Sequence, residues 1–159
     1  MSERPTRAAP PGIDLLALDR QFCFALYSAS HAMTKTYKPM LDRIGLTYPQ
    51  YLVMLVLWEQ DGILVKDIGA RLFLDSGTLT PLLKRLEANG LISRNRDPQD
   101  ERQVRIALTE QGRALREAAA QIPEQVLCAS GQQAETLGRL RNDLASVRDV
   151  LFKGLDQAS

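Results

Sequence analysis

Apolar residues recur along this chain at two periods, and the change from one to the other separates the elements. Leu15, Leu18, Phe22, Leu26, Ala29 and Met33 follow one another at threes and fours, the stripe of a packed helix. That helix is expected from about Asp14, with Pro39 bending or restarting it and Gly45 ending it. Thr47 then offers a capping hydroxyl and Pro49 a first-turn proline. The run Tyr51, Leu52, Met54, Leu55, Leu57 and Trp58 is apolar on nearly every side, so the helix it forms is internal. Asp61-Gly62 closes it, and Ile63 to Val65 leaves room only for a short strand or a link.

Two shorter helices follow. The first, Val65 to Leu72, buries Val65, Ile68, Gly69 and Leu72. The second, Thr78 to Asn89, has Leu79, Leu82, Leu83 and Leu86 inside and Thr78, Pro81, Lys84 and Arg85 outside. Phe73-Leu74-Asp75 is the turn between them, Asp75 or Ser76 the cap, and Gly90 the stop. The period then drops to two: Leu91-Ile92 opens a strand, Val104, Ile106 and Leu108 alternate in the returning one, and Asn95 to Arg102 forms a protruding tip. Thr109 caps a helix running through Leu115 toward Ile122, which Pro123 kinks or breaks before Cys128. A last helix from about Gln132 carries Leu137, Leu140, Leu144, Val147 and Leu151 as a coiled-coil-like seam.

This order predicts a mainly α fold with a small β wing: a winged helix-turn-helix flanked by terminal helices. The expected divisions are a loose arm over 1–12, rich in proline, an N-terminal helix region over 13–45, the lobe over 46–110 and C-terminal helices over 111–159. A length of 159 residues, 45% of them apolar, suits a single core. No apolar stretch approaches the roughly 20 residues of a membrane span, and the chain start lacks the order of a signal peptide, so a cytoplasmic protein is expected.

A net charge of +1 neither favours nor excludes nucleic acid, but the cations cluster. A helix-turn-helix pattern alone is weak, because any helical hairpin shows it. A small polar helix start, outward cations and an arginine-bearing hairpin together point to duplex DNA. Ser76, Thr78, Thr80, Lys84 and Arg85 are the candidates for the major groove. Arg94, Arg96, Arg102 and Arg105 are placed to follow the backbone or enter the minor groove. Asp97 or Asp100 is placed to clamp Arg102 and stiffen the wing.

Cys23 and Cys128 lie outside the lobe. In a reducing compartment a permanent staple is disfavoured, leaving buried hydrophobes, solitary thiols or a reversible redox couple. His31 is the sole histidine and the cysteines are far apart, so no metal site is expected; no cofactor is expected either, and no reductant site marks an enzyme.

The run from Arg94 to Gly112, with Asp97, Asp100-Glu101-Arg102 and Leu108-Thr109-Glu110-Gln111-Gly112, closely resembles the wing and following helix of MarR-family repressors. Phe22-Cys23-Phe24-Ala25-Leu26-Tyr27, with Tyr37 and Tyr48, resembles the organic hydroperoxide sensors within that family, and Cys128 resembles their two-cysteine subclass. The resemblance implies a homodimer with an intertwined helical dimerisation region that binds palindromic operator DNA when reduced. It implies that Tyr37 and Tyr48 hydrogen-bond the Cys23 thiolate. It further implies that an organic hydroperoxide converts Cys23 to a sulfenic acid, that an intersubunit disulfide with Cys128 follows, and that the operator is released. The alternative is a MarR-like repressor controlled by a small aromatic or apolar ligand walled by Phe22, Phe24, Tyr27, Tyr37, Tyr48 and Trp58, with the cysteines incidental.

Overall fold

The computed structural model describes residues 14–157, so the arm expected over 1–12 lies outside the described residues. The elements run α1 (Phe22–Asp42), α2 (Tyr48–Glu59), β1 (Ile63–Leu64), α3 (Val65–Leu72), α4 (Ser76–Ala88), β2 (Ile92–Arg96), β3 (Val104–Leu108), α5 (Glu110–Ala119), α6 (Ile122–Ser130) and α7 (Ala134–Asp156). The predicted class stands: a mainly α winged helix-turn-helix.

The first helix starts later than expected. Leu18–Arg20 forms a short 3-10 turn and Gln21 is extended, its side-chain amide donating to the Leu15 and Ala17 carbonyls. The apolar period therefore continues through a break in the backbone. Pro39, by contrast, sits inside α1 without ending it. Thr47 and Gln50 form a capping box at the start of α2, the Gln50 amide donating to the Thr47 hydroxyl and the Thr47 amide to Gln50 Oε1.

The core lies in the lobe. Val53, Met54 and Leu57 of α2 meet Ile68 of α3, Leu79, Leu83 and Leu86 of α4, and Ile106 of β3, all buried. Gly69 makes the helix-turn-helix angle possible, since a Cβ there would stand 2.8 Å from the Leu74 carbonyl oxygen. The link before α3 is a strand: β1 pairs antiparallel with β3, which pairs antiparallel with β2.

Outside the lobe, α5 ends at Ala119 and α6 begins anew with Pro123 in its first turn, so the proline marks a break. The helix α7 buries no residue, and Leu140, Leu144, Val147, Val150 and Leu151 along it are exposed. Leu15, Leu16, Leu18, Phe22, Phe24 and Leu26 at the other end are exposed too. Near its end α7 returns to the lobe, where Phe152 stacks on Phe73 at 5.0 Å and the Arg148 guanidinium lies 4.3 Å from the Phe73 ring.

Candidate nucleic-acid interface and thiol site

The helix α4 takes its orientation from its apolar stripe. Asp75 caps it, its carboxylate accepting from the Thr78 amide at 2.7 Å. That bond and one from the Thr78 hydroxyl hold the Asp75 carboxyl below the usual carboxylate range. With Leu79, Leu83 and Leu86 turned inward, Ser76, Thr78, Lys84 and Arg85 stand exposed. Thr80 is half-buried and its hydroxyl donates to the Ser76 carbonyl at 2.7 Å, so its proton is already engaged.

Of the two carboxylates expected to clamp Arg102, Asp100 does so and Asp97 holds a different arginine. Asp97 is buried, 4% exposed, and does not hold Arg102. It accepts from the Gln99 amide at 2.8 Å and from Arg105 through both Nε, at 3.1 Å, and Nη2. These bonds, the Gln99 amide foremost, pull its carboxyl below the usual range. Arg105 also donates to the Gly62 carbonyl. Its guanidinium thus fastens the hairpin to the turn before β1 and is not turned outward to phosphates. Arg102 pairs with Asp100 instead, Nε to Oδ1 at 3.2 Å, with 92% of its side chain exposed at the tip. Arg96 is also exposed, whereas Arg94 is half-buried and leans toward Glu87 at 3.7 Å.

Cys23 and Cys128 are both exposed, on α1 and α6, and neither is in a disulfide. Tyr37 and Tyr48 do come together, with ring centroids 4.9 Å apart, and Tyr51 joins them at 5.9 and 6.5 Å. Burial pushes the Tyr37 hydroxyl up to about 12, with Tyr48 and then Tyr51 adding to it. Burial raises Tyr48 as well. The apolar run of α2 marks Tyr51 only as a core residue, though its spacing of three from Tyr48 puts both on one helix face.

Cys23 and the tyrosine cluster are set apart within a single chain. Cys23 and Tyr37 belong to the same unbroken helix, fourteen positions apart, which sets them about 21 Å apart along its axis. Tyr37, and Tyr48 packed beside it, therefore lie beyond hydrogen-bonding reach of the sulfur of their own chain.

The walls expected for a noncovalent ligand are also dispersed. A cleft of about 550 Å³ between α2 and α5 takes only Trp58 from that set, together with Tyr51, Leu55, Arg113 and Pro123. A second, of about 630 Å³, lies between α3, α4 and the wing, with Phe152 among its lining residues. Among the described residues no cluster of three or more histidine, cysteine or carboxylate groups is placed to hold a metal, and no helix is long and apolar enough to cross a membrane.

Comparison with known proteins places this geometry. The family described as transcriptional regulator SarA/Rot matches residues 35–118. The organic hydroperoxide resistance transcriptional regulator of Bacillus subtilis is 50% identical over 140 residues, covering 88% of this chain and 95% of its own. Reduced AbfR bound to DNA superposes with a TM-score of 0.70 at 36% identity, covering 84% of this chain and 93% of that one. Disulfide-formed AbfR gives 0.60 at 38% identity, covering 82% and 91%.

Proposed function

Because the chain belongs to the MarR/OhrR-like transcriptional regulators, we propose that it is a homodimeric cytoplasmic repressor whose hold on palindromic operator DNA is released when an organic hydroperoxide oxidises Cys23. The observation that carries this reading is the position of Cys23: exposed on α1 among exposed Phe22, Phe24 and Leu26, and about 21 Å along the helix axis from Tyr37 of its own chain. An apolar surface of this extent, repeated along α7, calls for a partner subunit. An antiparallel crossing of terminal helices brings Cys23 of one subunit toward Tyr37 and Tyr48 of the other.

The chemistry follows from those groups. A tyrosine hydroxyl donates to a thiolate without adding charge, and its ordinary value of 10.0, raised further in both residues by burial, leaves the two donors protonated at neutral pH. The thiolate attacks the distal peroxide oxygen, the O–O bond breaks, an S–O bond forms, and the alkoxide takes a proton to leave as alcohol. Sulfur is oxidised by two electrons and the peroxide reduced by two. Attack by the Cys128 thiolate of the other subunit on the sulfenic sulfur then breaks the S–O bond, the departing hydroxide takes a proton to leave as water, and an intersubunit disulfide remains.

Two recognition helices must sit about 34 Å apart to read successive half-sites. Pulling Cys23 and Cys128 to the roughly 5 to 6 Å that a disulfide requires between α carbons moves the terminal helices and spoils that spacing. Disulfide-formed AbfR overlaps this chain less than its reduced, DNA-bound form does, in keeping with a change of shape within the subunit on oxidation.

For the lobe, Ser76, Thr78, Lys84 and Arg85 are assigned to the major groove, with Thr80 at its edge. Arg96 and Arg102 are assigned to the wing contact, and Arg94 to the backbone beside it.

The test is an operator titration of wild type and Cys23→Ser with and without cumene hydroperoxide. Wild type is expected to lose affinity on treatment while Cys23→Ser keeps it. Equal loss in both would shift control to noncovalent ligand binding, for which the cleft between α2 and α5 provides a seat.

A further inference from the structure

We propose that Trp58 is a positioning residue that couples the tyrosine cluster to the base of the wing; this rests on the thiol reading above and specifies how its signal reaches the DNA-reading lobe. The aromatic contacts do not stop at Tyr51. Its ring meets Trp58 edge-on, with centroids 6.4 Å apart and planes at 68°, so Tyr37, Tyr48, Tyr51 and Trp58 form one continuous packed row from α1 along α2. The indole Nε1–H then leaves the row and donates to the Gly112 carbonyl of α5 at 2.9 Å, crossing 54 positions of sequence.

What lies beyond that bond makes it a lever. The Gly112 amide donates to the Thr109 hydroxyl at 3.0 Å, that hydroxyl donates to the Gly90 carbonyl, and the Thr109 amide donates to the Leu91 carbonyl at 3.1 Å. A Cβ on Gly112 would stand 2.0 Å from the Leu91 oxygen. The first turn of α5 is therefore pressed against Leu91, the residue just before β2, with no room to slide. A displacement of α5 at Gly112 has to be shared by the wing.

The row is packed rather than loosely stacked: Tyr51 is 3% exposed and Trp58 half-buried. Close-packed side chains pass on a shift instead of absorbing it. When the Tyr37 and Tyr48 hydroxyls lose the thiolate they serve, their rings relax, and Tyr51 and Trp58 carry the change to Gly112. Physical coupling of this kind is a measurable interaction between sites, not a matter of proximity alone.

Trp58 is the sole tryptophan of the chain, which gives the experiment a single reporter. In the full-length dimer, Trp58→Phe keeps a ring in the row and removes the donor to Gly112. The variant is expected to oxidise at Cys23 at the wild-type rate and, when reduced, to bind operator within about threefold of wild type. The loss of operator affinity caused by cumene hydroperoxide should shrink about tenfold. Tyr51→Phe, which removes a hydroxyl but leaves the ring contacts, should switch as wild type does.

A wild-type affinity loss in Trp58→Phe overturns the relay. No loss in wild type itself overturns instead the thiol reading beneath it. A second measurement needs no variant of Trp58: the single indole N–H cross-peak of 15N-labelled wild type should move on oxidation and stay fixed in peroxide-treated Cys23→Ser. A peak that stays fixed while the wild-type operator affinity falls also overturns the relay.

Discussion

Asp97 and Arg105 face each other across the wing hairpin, and the buried Asp97 carboxylate takes two donors from the one guanidinium, which in turn reaches the Gly62 carbonyl. Asp61 complements this at the other end of the sheet, accepting from the Leu108 amide at 2.7 Å and pairing with Arg113 at 2.7 Å. Burial alone would raise the Asp61 carboxyl, but the Leu108 amide, Arg113 and the Gly62 amide together bring it down.

Both carboxyls, with Asp75 and Asp100, lie below the ordinary range in the folded chain. Their contribution to stability is present above the unfolded pKa, roughly 4, and is lost as pH falls through the folded values. Thermal melts of the wild type should therefore drop steeply below about pH 4. Arg105→Ala should melt lower at pH 7 and lose less on acidification, because the Asp97 pairing is already gone. A melting temperature at pH 7 equal to wild type would contradict the role given to Arg105.

Arg102 differs from Arg105 in being turned outward at the wing tip, so its removal should change the salt dependence of DNA binding. Each alanine substitution that deletes a phosphate contact should flatten the plot of log affinity against log salt by about 0.9. Operator titrations at several salt concentrations measure it. An unchanged slope in Arg102→Ala would remove the wing tip from the phosphate contacts.

The tyrosine cluster predicts behaviour at the alkaline end. Tyr37 is pushed up to about 12 from an ordinary value of 10.0, so the folded chain resists an ionisation that the unfolded chain undergoes. That contribution to stability is whole below the unfolded pKa and is lost as pH rises through the folded one. Tyr37→Phe should flatten the fall in melting temperature between pH 10 and 12, and should slow loss of the Cys23 thiol to cumene hydroperoxide at pH 7. A wild-type rate of thiol loss would dissociate Tyr37 from the sulfur.

Most of the architecture was readable from periodicity, because each helix of the lobe has one apolar stripe and the hairpin has period two. The start of α1 was not, since Leu15 and Leu18 keep the helical period while the backbone at Gln21 is extended. The partner of Arg105 was hidden for a different reason: Asp97 meets it only through the register of β2 with β3 and the shape of the tip between them. The distance from Cys23 to Tyr37 was legible all along as fourteen positions of one helix. It becomes a constraint only once α1 is seen to run unbroken from Phe22 past Tyr37, and Tyr48 to pack beside Tyr37.

The most direct measurement mixes two variants, each missing one thiol. Cys23→Ser and Cys128→Ser subunits are unfolded together, refolded into heterodimers, treated with cumene hydroperoxide and examined on non-reducing gels and by operator titration. The mixture should yield a covalent dimer through one Cys23 and one Cys128, and its operator affinity should fall, while the Cys23→Ser homodimer treated alone yields neither change. A covalent dimer that still binds operator as tightly as the reduced protein would contradict the coupling of sulfur chemistry to DNA release.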